Sequence, residues 1–338
     1  MPSAAIYDCE GARLTQDERA FFKDADPWGF ILFARHCTNA DQVRAHCAEL
    51  RDAVGRDAPI LIDQEGGRVA RMKGPAWPSH SPMSVFGKLW KLDPAKARAA
   101  ARLNAFLLGR MVADLGVTVN CVPMLDVPQS DSDPQVIGDR ALATHADQVA
   151  ALGREIIDGL LEGGALPVIK HMPGHGRALC DSHQELPRVV ASKEDLRSVD
   201  FKPFRALNDA PIGMTAHIVY EAYDKERPAT LSPVVIGEAI RKEIGFDGLL
   251  LTDDLKMRAL GGPVGARSEE SLKAGCDIAV CCNYTLAEKI EAAKRTPALA
   301  SRAAERAAAA LARRRSPVKA DISAEYGRLS SLLVPALA

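Results

Sequence analysis

Between Lys170 and His183 the chain reads Lys-His-Met-Pro-Gly-His-Gly-Arg-Ala-Leu-Cys-Asp-Ser-His, which crowds three histidines, a lysine, an arginine and an aspartate into one stretch. Pro173, Gly174 and Gly176 exclude a regular helix, so these groups are expected on an irregular loop after the apolar run 166–169. Asp181 and His183 are two apart and share a side if the segment is extended. A carboxylate beside an imidazole orients the ring and raises its affinity for a proton. Such a ring can give a proton and take one back near neutral pH. Asp253 and Asp254 follow Leu249-Leu-Leu-Thr252 directly. A fixed carboxylate there can attack an electrophilic carbon and form an ester. Neighbours on a strand point to opposite sides, so one of the two faces the site, and chemistry alone leaves open which. Lys170, His171, Asp63 and Arg140 add donors and acceptors suited to a polyhydroxylated ligand.

Positioning such groups needs strand ends. Apolar runs at 4–7, 29–33, 59–62, 117–122, 166–169, 212–215, 248–251 and 278–281 are mostly continuous, as in parallel strands covered on both faces. Helix signals lie between them. Asp93-Pro94 opens a helix that stops near Gly116, and Thr144-His-Ala-Asp147 resembles a capping box for one ending at Gly163-Gly164. Ser232-Pro233 starts another closed by Gly245, and Thr296-Pro297 opens an alanine- and arginine-rich one to about 315. The pattern predicts the α/β class, a single (β/α)8 TIM barrel with C-terminal helix and tail over 1–338, the barrel at about 4–315 and the tail at 316–338. Long loops are expected at 64–92 and 123–144. A doubly wound sheet lacks its Gly-x-Gly-x-x-Gly after an early strand. On a barrel, Asp63, Arg68 and Arg71, then Asp126, Asp139 and Arg140, then the histidine stretch, His217 and Asp253-Asp254 all fall on one rim.

The bulk properties exclude other classes. A formal net charge of -1 gives no reason to expect nucleic acid. No apolar run approaches the roughly 18 residues of a membrane span, and Met1-Pro-Ser-Ala-Ala-Ile-Tyr-Asp8 lacks the pattern of a signal peptide, so a cytoplasmic enzyme is expected. Eight cysteines without a Cys-x-x-Cys read as reduced thiols, and the His-Cys pairs at 36–37 and 46–47 lack further ligands for a metal. His36, His46, His80 and His145 are expected on the surface or in loops, His217 as a wall or structural residue, and His175 bracing its loop or touching substrate. Trp28, Trp77 and Trp90 are expected in packing. Asp254 is expected to support its neighbour or face the helices.

Four ordered blocks then carry a resemblance: Ile62-Asp-Gln-Glu-Gly-Gly-Arg-Val69, Gly138-Asp-Arg140, Lys170-His-Met-Pro-Gly-His-Gly176 with Asp181-Ser-His183, and Leu251-Thr-Asp-Asp-Leu-Lys-Met257. Spread from about residue 6 to residue 285, they resemble the family 3 glycoside hydrolases, specifically the β-N-acetylhexosaminidase branch. The resemblance implies a retaining exo-β-N-acetylglucosaminidase with Asp253 as nucleophile, His183 as general acid/base and Asp181 as its partner. It implies that Asp63, Arg71, Arg140, Lys170 and His171 bind the non-reducing N-acetylglucosamine. It further implies a role in peptidoglycan recycling in the cytoplasm, on N-acetylglucosaminyl-anhydro-N-acetylmuramyl peptides. Met172 stands where phenylalanine is common, and Arg177-Ala178 replaces a frequent Asp-Thr. A small carbohydrate is the expected partner, with no metal or organic cofactor, nucleic acid, membrane or obligate protein. The alternatives are phosphorolysis of the same substrates, a metal-dependent barrel hydrolase using His171, His175, His183 and an aspartate as ligands, and a silent sugar-binding protein.

Overall fold

A computed structural model describes every residue except Asp131, Asp133, Asp181, His183 and Ala338. Among the described residues the main sheet has eight parallel strands in chain order: β1 (Ser3–Tyr7), β2 (Pro27–Leu32), β3 (Ile60–Ile62), β4 (Val119–Asn120), β5 (Leu166–Met172), β6 (Ile212–Thr215), β7 (Leu249–Leu251) and β8 (Ala279–Cys281). Each pairs with the next, and β8 returns to β1 through Ala5–Ala279, Ile6–Val280 and Tyr7–Cys281. The β7–β8 edge is the thinnest. It carries the isolated bridge Leu251–Ile278, and side chains add to it. The Asp277 carboxylate accepts from Leu250 N at 2.9 Å, and Thr252 Oγ1 accepts from Val280 N at 2.8 Å. The result is the expected (β/α)8 barrel, with continuous apolar strands buried between helices and barrel interior.

The helices are set by local signals. In α1 (Gln16–Ala25), Thr15 and Glu18 form a capping box, and α2 (Ala40–Val54) is capped by Asn39. After α3 (Ser84–Leu92), Asp93 caps α4 (Pro94–Ala113) with proline at its first position, as read from the sequence. The next helix, α5 (Ala146–Gly163), starts without a side-chain cap, so the capping box expected at Thr144 does not form. The β5–β6 connection passes through α6 (Lys193–Asp195), a π-helical turn at Leu196–Asp200 and α7 (Phe201–Ala206). The helix expected after Ser232 is present, but Val235–Ile244 takes π rather than α pitch. Then follow α8 (Val264–Ala274), α9 (Leu286–Arg295) and α10 (Ser301–Ala312). The start of α10 lies past the expected Thr296-Pro297, because that segment is drawn alongside β1. Pro297 O accepts from Ala4 N at 2.9 Å, and Leu299 N donates to Pro2 O at 2.7 Å.

Helices α4 and α5 approach closely because glycines line the contact: a Cβ on Gly159 would stand 2.3 Å from Arg102 O, and one on Gly163 2.5 Å from Phe106 O. The segment expected as a tail contains a final helix, α11 (Ile322–Leu337), packed on α3 and α4. Leu329 and Leu333 are buried in that contact. Tyr326 OH lies 3.2 Å from His80 Nε2, and His80 Nδ1 lies 2.9 Å from Asn104 Oδ1. His80 lies in a loop, as expected, but is buried, as are His36 and His46, so none of the three is a surface residue. The reason is pairing: His46 Nε2 lies 3.0 Å from Cys9 Sγ, and His36 Nε2 donates to Cys9 O at 2.8 Å. His145 is exposed as expected, Trp28 and Trp77 are buried, and Trp90 packs beneath the Arg98 guanidinium. Among the described residues no disulfide forms and no helix is long and apolar enough to cross a membrane.

Candidate active site

A cleft of about 360 Å³ opens at the carboxyl ends of the strands. Asp63, Arg71, Arg140, Lys170, His171 and Asp253 all line it, so the structure brings together every expected site residue that it describes. Asp181 and His183 lie outside the described residues. Ser182, between them in sequence, is buried in the same wall. Lys170 and His171 belong to β5 itself, which continues to Met172, and not to a loop as expected. The strand persists because Met172 pairs with Thr215 of β6 and its side chain is buried.

One side of the cleft is a chain of alternating charge. Lys170 Nζ lies 2.9 Å from Asp63 Oδ1 and 2.7 Å from Glu65 Oε1. Arg71 Nη2 donates to Asp63 Oδ2 at 3.0 Å, and Arg140 grips Glu65 through both Nε and Nη2 at 3.0 and 2.8 Å. Burial alone would raise both acids, but the cations overcome it: Lys170 and Arg71 hold Asp63 well below the usual carboxylate range, and Arg140 and Lys170 hold Glu65 at about 2. Burial would likewise lower Lys170, yet its two carboxylates raise it, so it stays charged. Three cations against two anions leave one net positive charge, with directional donors facing the cleft. Arg68 stands outside this set; it pairs with Asp139 at 2.8 Å and ties the β3 loop to the segment carrying Arg140.

A second group centres on Asp126. His171 Nδ1 donates to Asp126 Oδ2 at 2.8 Å, which turns Nε2 toward Asp253 Oδ2 at 4.0 Å. Asp126, fully buried, also accepts main-chain N–H bonds from His171 and His175 at 3.2 and 2.6 Å. Burial would raise it, but His171 and these donors keep it below its ordinary value. His175 thus braces its loop, its Nε2 3.3 Å from Ser182 Oγ, and burial lowers it to about 4, so it is neutral near pH 7. The glycines of this loop serve close approach: a Cβ on Gly176 would stand 2.0 Å from Val127 O, and Tyr220 OH donates to Gly174 O at 2.8 Å. Arg177, one of the departures from the family pattern, donates to buried Asp200 at 2.7 Å. His217 is buried outside the cleft lining in a structural place, its Nε2 donating to Asp254 O at 2.9 Å.

Sequence reasoning missed Glu65 and gave Asp126 no role. Glu65 had a signal, since it lies two residues after Asp63 just past a strand, where both project to one side. Apolar walls come from Ile31, Val69, Met214 and Val280. Among the described residues no cluster could hold a metal ion. The arrangement offers a carboxylate, an oriented imidazole and fixed hydrogen-bonding groups around a space that fits one sugar ring.

Comparison with known proteins agrees with this architecture. Residues 5–313 match the glycosyl hydrolase family 3 N-terminal domain. A β-hexosaminidase of Alkalilimnicola ehrlichii is 38% identical over 283 residues, covering 81% of this chain and 79% of that protein. One from Bordetella avium is 33% identical, covering 83% and 81%. The crystal structure of NagZ from Neisseria gonorrhoeae with N-trifluoroacetyl-D-glucosamine superposes with a TM-score of 0.87 at 28% identity, covering 100% of this chain and 98% of that one. The chain therefore belongs to glycosyl hydrolase family 3 and is a glycoside hydrolase.

Proposed function

We propose that this protein is a retaining exo-β-N-acetylglucosaminidase of the cytoplasm that releases N-acetylglucosamine from anhydro-N-acetylmuramyl peptides formed in peptidoglycan turnover. The observation that carries the reading is Asp253 at the mouth of the barrel, 4.0 Å from His171 in a cleft also lined by Asp63, Lys170 and Glu65. In this reading Asp253 attacks the anomeric carbon while His183 protonates the leaving oxygen, with Asp181 orienting its ring. Water that His183 deprotonates then hydrolyses the glycosyl-aspartate and regenerates both groups. Asp63, Arg71, Arg140, Lys170 and His171 hold the sugar hydroxyls and acetamido group. The names of the β-hexosaminidase relatives and the glucosamine derivative in the NagZ structure support the sugar class.

Incubation with a 2-fluoro N-acetylglucosaminide analogue bearing a good leaving group, followed by peptide mapping, tests the reading. A stable label on Asp253 is expected; a label elsewhere, or an initial product of inverted anomeric configuration, overturns it. Product analysis with and without phosphate separates hydrolysis from phosphorolysis.

A further inference from the structure

Asp254 takes no part in the proposed chemistry, yet this residue bridges the thinnest edge of the barrel. Its Oδ2 accepts from Asn283 Nδ2 at 2.8 Å, on the segment after β8, and its Oδ1 accepts from Lys256 N at 2.8 Å. Asn283 N donates in turn to Asp8 Oδ2 at 2.8 Å, just past β1. Asp8 is buried and held by Arg35 and by Lys289 Nζ at 3.1 Å, itself buried. The main chain of Asp254 is engaged as well. Its C=O accepts from His217 Nε2 at 2.9 Å, past β6, and its N–H donates to Asp253 Oδ1 at 2.8 Å. One residue thus ties the ends of β1, β6, β7 and β8 and delivers an N–H to the carboxylate of its neighbour.

Attack by a carboxylate depends on how closely it is held in the geometry of the reaction. Oδ1 of Asp253 is engaged by the Asp254 N–H, while Oδ2 stands across from His171 Nε2. We propose that Asp254, anchored through Asn283 to Asp8, is a positioning residue that fixes the Asp253 carboxylate for attack on the anomeric carbon by holding its Oδ1. This rests on Asp253 being the nucleophile. The anchor depends on polarity, because Asp254 supplies two acceptors to two donors. In Asp254→Asn the amide can satisfy Lys256 N or Asn283 Nδ2 but not both. In Asn283→Asp two carboxylates face each other. Combining Asp254→Asn with Asn283→Asp reverses the bond and restores it: the new amide donates to the new carboxylate, which still accepts from Arg35 Nη1, now 3.2 Å from Asn283 Oδ1.

The test uses the full chain and an aryl N-acetylglucosaminide, with thermal melting as a check on folding. Each single substitution is expected to lower kcat by about 10²-fold with little change in KM, and the double variant to regain most of it. Fluorosugar labelling of the wild type keeps the two readings apart, since a label away from Asp253 overturns the nucleophile assignment beneath. With the label on Asp253, wild-type kcat in Asp254→Asn overturns the positioning role alone. A folded double variant that stays as slow as the single ones overturns it too.

Discussion

Lys170 lies between two buried carboxylates, and its replacement has a cost that follows from that position. In Lys170→Met, Asp63 and Glu65 would each keep one arginine but face each other across an apolar side chain. Removing one partner of a buried pair costs about 3–5 kcal/mol, so a clear drop in melting temperature at pH 7 is expected along with weakened substrate binding. The same acids set the response to acid. Their folded-state values lie below the ordinary ones, Glu65 at about 2. Their contribution is therefore full above about pH 4.5 and is lost as pH falls toward about 2. Melting between pH 6 and 2 should show a late loss of stability, and Glu65→Gln should flatten it. Asp253→Ala should abolish turnover, whereas His183→Ala should retain activity on substrates with good leaving groups; equal loss on aryl and disaccharide substrates would count against His183 as the acid. At this scale the sequence was informative where residues follow strands, as Asp63 and Asp253 do. It was silent on Asn283 and Asp8, whose partners lie hundreds of residues away or across the barrel edge.

At the scale of elements, all eight strands stand where continuous apolar runs predicted them, because burial on both faces leaves a local signature. The ends were harder to read. The regular part of β4 is shorter than its apolar run, since the Asn120 side chain takes over Gln64 N and O where the ladder would continue. The π pitch of Val235–Ile244 leaves no local mark in the sequence. The final helix did leave one: Ile322, Tyr326, Leu329, Leu333 and Ala336 recur at four- and three-residue steps, an amphipathic period inside what composition read as a tail. The family blocks that matched a resemblance are borne out by the family model over residues 5–313. Tight packing of α4 on α5 gives a further expectation. Gly163→Ala would press a methyl group onto Phe106 O and should cost about 1–3 kcal/mol, measurable by urea denaturation, while activity of the folded fraction stays unchanged.

Across the whole molecule, the chain end and the cleft are mechanically continuous. Tyr326 of α11 reaches His80, whose carbonyl accepts from Gly67 N at 2.9 Å in the loop that also presents Glu65 and Arg71. Burying Leu329 and Leu333 contributes about 2 kcal/mol each to keeping that helix docked. Anything that peels the last two dozen residues away, such as a bulky carboxyl-terminal fusion, an affinity tag or a nick near Pro317, should be felt as poorer capture of the sugar well before the barrel melts. A preparation tagged at its amino terminus should then bind substrate more tightly than one tagged at the other end.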